Sequence, residues 1–196
     1  PEADVLCFGL WSDAETVADL GAFFTPRRHG HALAFMLQKP EPATTGRLAA
    51  NHHFLLDVGI WMLSARAVEL LMRKAGWNPQ RQQFDGRTAA EYDLYSDFGQ
   101  ALGSQPARPD PALGGLSSAV LPLNDGEFYH FGCSLDLPSS SVALQNRVRN
   151  QRLLASPLIK PHPSIFIQNA HCECRLTENH SNIWIENSFI GSGWTF

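Results

Sequence analysis

Four short stretches carry side chains whose types and spacing suit chemistry. Lys39, in Leu37-Gln38-Lys39-Pro40, closes an apolar run. A lysine at the carboxyl end of a buried strand is a compact charge where open α/β sheets receive ligands, and it suits a phosphate. A solvated strand-end lysine is the plainer alternative. Asp57 interrupts Phe54-Leu55-Leu56-Asp57-Val58-Gly59-Ile60-Trp61. A carboxylate inside such a run must be paired or must face a polar cavity. When ionised it only accepts hydrogen bonds, which suits sugar hydroxyls, and Gly59 leaves room for a ligand or another backbone. An ion pair with a core arginine is the structural alternative. Asp93 and Asp97, in Tyr92-Asp93-Leu94-Tyr95-Ser96-Asp97-Phe98-Gly99, stand four apart and would share one helix face. Like charges there favour a nearby cation such as Mg²⁺, which takes one or two carboxylates plus substrate phosphates. A solvated acidic face is the alternative. His130 sits on the aromatic stretch Phe128-Tyr129-His130-Phe131 before Gly132. It is either a buried neutral histidine with one backbone partner or a contact to a ligand or metal.

The elements that must position these groups follow from apolar patterning and from turn residues. Val5–Trp11, Gly21–Thr25, Ala32–Lys39 and Phe54–Leu63 are apolar runs expected as strands. The segment Pro26–His31 reads as a turn, and Pro40, Pro42 and Gly46 mark a loop. Ser64 caps a helix with Ala67, Val68, Leu71, Met72 and Ala75 on one face and Gly76 at its left-handed end. Thr88-Ala89-Ala90-Glu91 fits a capping box, starting a helix to about Leu102 with Leu94, Phe98, Ala101 and Leu102 as its stripe and Gly103 as its stop. Ser104–Gly115, with three prolines and two glycines, is an exposed loop. Ser118–Leu123 and Glu127–Gly132 are expected to pair as a hairpin about Asn124-Asp125-Gly126. Ser139 caps a third helix to about Leu154, with Val142, Gln145 and Val148 inward.

The 196 residues carry 44% hydrophobic and only 17% charged residues. That suits one folded domain and a fraction, not a disordered tail. A net charge of −4 argues against a generally basic nucleic-acid or anionic-membrane binder. No apolar run approaches a membrane span of about 20 residues, and Pro1-Glu2-Ala3-Asp4 is no signal peptide. Cys7 and Cys133 lie in apolar stretches, as small hydrophobes. Cys172 and Cys174 form a C-x-C near His171 and His180 that matches no common zinc spacing, so no metal ligands are assigned. Buried thiols in a reducing compartment imply a cytoplasmic protein.

Beyond Pro163 the texture changes. Ile165-Phe166-Ile167-Gln168-Asn169 recurs as Ile183-Trp184-Ile185-Glu186-Asn187 at an offset of 18. Three hexapeptides make one coil of a left-handed parallel β-helix. Two similar strands of one sheet are the alternative.

In this order, Gln38-Lys39-Pro40, Asp57-Val58-Gly59, Tyr95-Ser96-Asp97 and Tyr129-His130-Phe131-Gly132-Cys133 resemble the sugar-1-phosphate nucleotidyltransferases. That family carries Glu-Lys-Pro, Asn-x-Gly, Tyr-Leu-Thr-Asp and Trp-x-Asp-x-Gly-Thr in the same sequence, often followed by a left-handed β-helix. Gln38, Asp57 and His130 stand where the family has glutamate, asparagine and a metal-binding aspartate. These departures point to the branch that joins a fucokinase to an L-fucose-1-phosphate guanylyltransferase.

The resemblance implies an α/β fold. Residues 1–160 would be the sugar-binding part of a Rossmann-like nucleotidyltransferase domain with a mixed sheet, and residues 161–196 the start of a left-handed β-helix. It implies GMP transfer from GTP to L-fucose-1-phosphate, with Mg²⁺. Lys39 and Asp97 are then the catalytic candidates, while Asp57, Gly59, His130 and Gln38 would bind substrate. Mg²⁺ prefers oxygen, so a hydrogen bond from His130 to substrate is expected rather than metal ligation. No glycine-rich loop with an arginine and a lysine occurs among the 196 residues, nor does a kinase phosphate loop. The expectation is therefore a piece of the transferase that does not catalyse alone. The other reading is a non-catalytic folding or oligomerising module, in which exposed Trp184, Phe189, Trp194 and Phe196 let the chain self-associate.

Overall fold

The computed structural model describes residues 2–28, 30–148 and 160–196. The apolar runs do become strands: β1 (Val5–Trp11), β2 (Gly21–Pro26), β3 (Phe35–Gln38) and β4 (His52–Leu63). With β7 (Ser118–Pro122) they form one five-stranded sheet in the order β3-β2-β4-β1-β7. The sheet is mixed. β3, β2, β4 and β1 run antiparallel to their neighbours, while β7 runs parallel to β1. The expected hairpin about Asn124-Asp125-Gly126 is therefore absent. Ser118 pairs instead with Val5, far away in sequence, and residues 127–132 form no strand. Ala119 and Val120 are buried beside Val5 and Cys7, whereas Phe128, Tyr129 and His130 are only half-buried and Glu127, Phe131 and Gly132 are exposed.

Alternation along the strands buries both faces. Val5, Cys7, Phe23, Met36 and Leu55 pack on one face against Ala67, Phe98, Ala101, Leu102 and Leu113. Leu10, Ala22, Phe24, Phe35 and Leu56 pack on the other with Val17, Leu20 and Leu48. Val17 comes from the short helix α1 (Ala14–Ala18), capped by the Asp13 carboxylate, and Leu48 from α2 (Pro42–Leu48). The expected loop at Pro42 and Gly46 is thus a helix. Proline at the first helical turn costs no hydrogen bond and presets φ.

Ser64 does cap the third helix, α3 (Ala65–Lys74), accepting from the Ala67 amide, and Gly76 does take a left-handed φ of 88°. The buried face is Ala67 with Leu70 and Leu71, whereas Val68 and Met72 are exposed. A small antiparallel pair, β5 (Trp77–Asn78) with β6 (Gln83–Phe84), follows. The capping box at Thr88 starts no helix. The Ala90 amide is drawn to the Ala75 carbonyl at the end of α3. The helical segment begins six residues later, as one π turn (Leu94–Phe98) continued by a 3₁₀ turn (Gly99–Ala101). Its cap is Asp93, whose carboxylate accepts from the Tyr95 and Ser96 amides. Phe98, Ala101 and Leu102 are buried as expected, and Leu94 is exposed.

The chain divides into two compact units, Pro1–Phe128 and Tyr129–Phe196. The second contains α4 (Asp136–Asn146), which begins three residues before Ser139. Gln145 is buried as expected, holding the Ile167 amide and carbonyl. The remainder of the expected helix, from residue 149, lies outside the described residues. β8 (Phe166–Gln168) pairs parallel with β10 (Trp184–Glu186), and β9 (His171–Cys172) with β11 (Phe189–Ile190). Every pair joins residues 18 apart, the sequence offset. Asn169 donates to Asn187 at 2.6 Å, both with positive φ, and the Phe166 and Trp184 rings stack at 3.8 Å. Inside lie Ile165, Ile167, Cys172, Cys174 and Ile185. Among the described residues no helix is long and apolar enough to cross a membrane.

Candidate functional site

In the first unit, the groups singled out from sequence gather where glycines remove side chains from one sheet face. Gln38 ends β3 and pairs with Gly21 on β2. One position beyond the Ala22–Leu56 pair, Gly21 abuts Asp57, which in turn pairs with Gly9 on β1. The row across four strands reads Gln38–Gly21–Asp57–Gly9. A Cβ on Gly21 would lie 2.9 Å from Gln38 Oε1, 3.0 Å from Met36 Cε and 3.4 Å from Asp57 Cβ. Only glycine lets the two polar side chains come this close about the strand without a clash.

Gln38 Oε1 is buried and has no hydrogen-bond partner among the described residues. Such an orphan costs about 1–3 kcal/mol, so its presence calls for a donor from elsewhere.

Asp57 is 6% exposed. It has no ion pair among the described residues with an arginine, contrary to the structural alternative considered from sequence. Its Oδ1 accepts from the Gly59 amide at 2.8 Å and from Trp61 Nε1 at 3.0 Å. Burial pushes the carboxyl above its ordinary range, and the Trp61 and Gly59 hydrogen bonds pull the other way. These two bonds span a bulge. Between the Cys7–Trp61 and Gly9–Asp57 pairs, the single residue Phe8 faces Val58, Gly59 and Ile60. An insertion of two residues leaves the faces unexchanged, so Asp57 and Trp61 both lie on the side of Cys7. Gly59 turns the bulge with a φ of 73°, a conformation costly for any residue with a Cβ.

Lys39 follows Gln38 directly. Its φ is 47° and its amide donates to the Leu20 carbonyl at 2.7 Å, which turns the chain out of β3 and leaves the residue exposed. It forms no ion pair with any described residue, so its charge is available to an anion.

Asp93 and Asp97 do not present a shared helical face to a cation. Asp93 is the cap of the π turn, and its own amide donates to Asp97 Oδ2 at 3.1 Å. Asp97 Oδ1 accepts from Arg108 Nη1 at 3.2 Å, and the same Nη1 donates to the Ser96 carbonyl at 2.8 Å. The cation that Asp97 meets is therefore an arginine. Among the described residues no three His, Cys, Asp or Glu side chains gather to hold a metal ion. These carboxylates do not fit a Mg²⁺ cradle of this chain's own making.

His130 belongs to the second unit. Instead of being buried with one backbone partner, its side chain is 41% exposed and its Nδ1 lies 2.7 Å from Asp136 Oδ2. An ionised carboxylate only accepts, so Nδ1 carries the hydrogen. The Cys133 thiol and amide also donate to that oxygen, and with His130 they hold Asp136 below the usual carboxylate range. Cys133 is exposed, not the small core hydrophobe expected. Cys172 and Cys174 are buried free thiols with sulfurs 3.0 Å apart.

Sequence reasoning passed over the groups that shape the first-unit site. Trp61, four residues beyond Asp57 on the same strand face, was readable from the period of two. Gly21 and Gly99 were not. A Cβ on Gly99 would come within 2.5 Å of Met36 Sδ and 2.8 Å of Trp61 Cη2, a closeness that only pairing distant segments creates.

No family model matches the chain. It is 45% identical over 194 residues to the L-fucokinase/L-fucose-1-P guanylyltransferase of Bacteroides fragilis. The aligned stretch takes in 99% of this chain and 20% of that protein, so the chain spans about a fifth of the length of the curated relative it matches. That relative is a transferase, and the resemblance drawn from the motifs is to the same kind of protein.

Proposed function

We propose that this chain is the sugar-phosphate side of an L-fucose-1-phosphate guanylyltransferase within a bifunctional fucokinase/guanylyltransferase. The reaction would form a bond from a phosphate oxygen of fucose-1-phosphate to the α-phosphorus of GTP. The bond from that phosphorus to the β-phosphate oxygen breaks, giving GDP-fucose and pyrophosphate. Support comes from the 45% identity to the Bacteroides fragilis protein and above all from the Gln38–Gly21–Asp57 row. There an orphaned buried acceptor stands beside a carboxylate, with a glycine between them. Sugar hydroxyls are donors that satisfy such acceptors.

In this reading Gln38 and Asp57 accept from the sugar, and Gly59 lets the ring approach the backbone. Lys39 neutralises the phosphate, where positioning and charge compensation do most of the work. His130, in the second unit, stays a substrate-binding candidate on the motif resemblance alone. Asp97 acts through Arg108 on the turn that carries Tyr95, and no proton step is assigned to it. GTP and its accompanying Mg²⁺ would be held by other parts of the parent enzyme, because no glycine-rich Arg/Lys loop occurs in residues 1–196. The 18-residue ladder of the second unit is read as the start of a left-handed parallel β-helix, and an experimental structure decides its winding. Four free thiols agree with a cytoplasmic setting.

Calorimetric titration with L-fucose-1-phosphate, on the parent chain and on Gln38→Leu, tests the reading. Gln38→Leu removes an orphan acceptor, so it should keep or raise the melting temperature while weakening binding about tenfold or more. A parent chain that takes up no sugar phosphate, or a Gln38→Leu chain that binds as tightly, refutes it. A second reading, a self-associating module, is favoured by the exposure of Phe189 (65%) and Trp194 (62%). Concentration-dependent sedimentation with no heat of sugar binding would support that one instead.

A further inference from the structure

The wall of the site facing Gly59 is made by Tyr95, a residue to which the motif comparison assigns no role. A Cβ built on Gly59 would stand 3.5 Å from the Tyr95 hydroxyl, so the phenol oxygen hangs over the open face of the bulge. That hydroxyl makes no hydrogen bond to any described residue, and Tyr95 is half-buried. A phenol is both donor and acceptor, and this one, not being among the fully buried oxygens, is open to an incoming partner. The ring is held edge-on against Trp61, with centroids 5.9 Å apart at 82°. Trp61 in turn donates to Asp57. The hydroxyl and the carboxylate are thus placed by two ends of one aromatic pair.

The turn beneath Tyr95 is braced well beyond what a five-residue segment would need by itself. Asp93 Oδ1 accepts from the Tyr95 amide (2.9 Å), the Ser96 amide (2.6 Å) and Ser96 Oγ (2.8 Å). Asp97 returns the favour to the Asp93 amide, and Arg108 ties Asp97 to the Ser96 carbonyl. Such a π turn is uncommon, and turns of this kind frequently mark functional sites.

We propose that the Tyr95 hydroxyl hydrogen-bonds a hydroxyl of the sugar lying over Gly59, which makes Tyr95 a specificity-determining residue. Arg108 and Asp97 are positioning residues that act through it. This inference rests on the sugar-phosphate reading above. It assigns to Asp97 a role in geometry instead of chemistry, while the demand for glycine at 59 comes from its φ of 73°.

The test is Tyr95→Phe, which keeps the ring on Trp61 and removes one oxygen. Calorimetric titration with L-fucose-1-phosphate should show binding weakened about three- to tenfold, the effect of one hydrogen bond, with an unchanged melting temperature. Arg108→Ala should weaken binding similarly, and Arg108→Lys should recover part of it. In the Tyr95→Phe background, Arg108→Ala should add little, because its effect runs through the hydroxyl. Equal affinity of Tyr95→Phe and parent, or strictly additive effects of the two substitutions, overturns the inference while leaving the sugar reading intact. No binding by the parent chain overturns both.

Discussion

Gly103 offers the sharpest physical test of the first unit. It was expected to stop a helix, and it does more. With φ at 102° it runs so close to β3 that an added Cβ would lie 2.3 Å from the Ala34 oxygen, 2.6 Å from its carbonyl carbon and 3.0 Å from the Phe35 nitrogen. All three are backbone atoms, and they are tied down. The Ala34 amide donates to the Phe24 carbonyl at 2.8 Å, and the Ala34 carbonyl accepts from the Gln105 amide at 2.8 Å. Gly103→Ala therefore meets about 1–2 kcal/mol for the left-handed backbone and about 1–3 kcal/mol for overlap that cannot relax. Losing the Gln105 bond adds about 1 kcal/mol. The sum is roughly 3–6 kcal/mol, a large share of the 5–15 kcal/mol that holds a typical domain together. At a urea slope of about 2 kcal/mol per molar, the midpoint should fall by roughly 1.5–3 M. Hydrogen exchange at the Leu33 and Ala34 amides reports this unit separately from the other. Gly46→Ala is the matched control. It sits inside α2 with nothing within 4 Å of a new Cβ, so it should raise stability by about 0.5–1 kcal/mol. A Gly103→Ala midpoint within about 0.3 M of the parent, or a Gly46→Ala chain less stable than the parent, would refute the packing argument.

Asp57→Asn keeps an acceptor for Gly59 and Trp61 but removes a carboxyl whose folded pKa is raised. A raised acid stabilises the fold below its unfolded pKa, near 3.9, and loses that contribution as pH rises through the folded value. The variant should therefore gain on the parent between pH 4 and pH 8, measured as urea midpoints; a gain in the opposite direction would mean the carboxyl is held low, not high. Alkylation by iodoacetamide at pH 8 should modify exposed Cys133 first. Buried Cys172, its thiol pushed up to about 11 by burial and its Cys174 neighbour, should react only on unfolding, as mass spectrometry of the labelled peptides will show. The isolated chain, supplied with GTP, Mg²⁺ and L-fucose-1-phosphate, should form no GDP-fucose by chromatography; clear turnover would show that it carries a complete nucleotide site.

Much of this molecule was legible in the order of its residues because the signals are local. Apolar runs bounded by turn residues located β1 to β4. Ser64 and Gly76 bracketed α3 because a cap and a left-handed end need only their own few neighbours. The 18-residue repeat registered the parallel pairs of the second unit exactly as they form, since stacking like on like uses identical spacing. Lys39, Asp57 and Gly59 were singled out by residue type and place, and Gln38 by its position in the Gln-Lys-Pro motif.

What tertiary structure alone decided is what lies between those residues. The strand after Gly115 joined β1 in parallel because Val5 and Cys7 offered burial that an adjacent hairpin partner lacked. The acids at 93 and 97 became a cap and an arginine partner, since Arg108 and the start of the π turn arrive from different segments. Gly21 acquired its importance only when β3 and β4 closed on either side of β2 and brought Gln38 Oε1 and Asp57 close about a position with no room for a side chain. Composition names the polar groups; only the closing of distant strands sets which of them go unsatisfied.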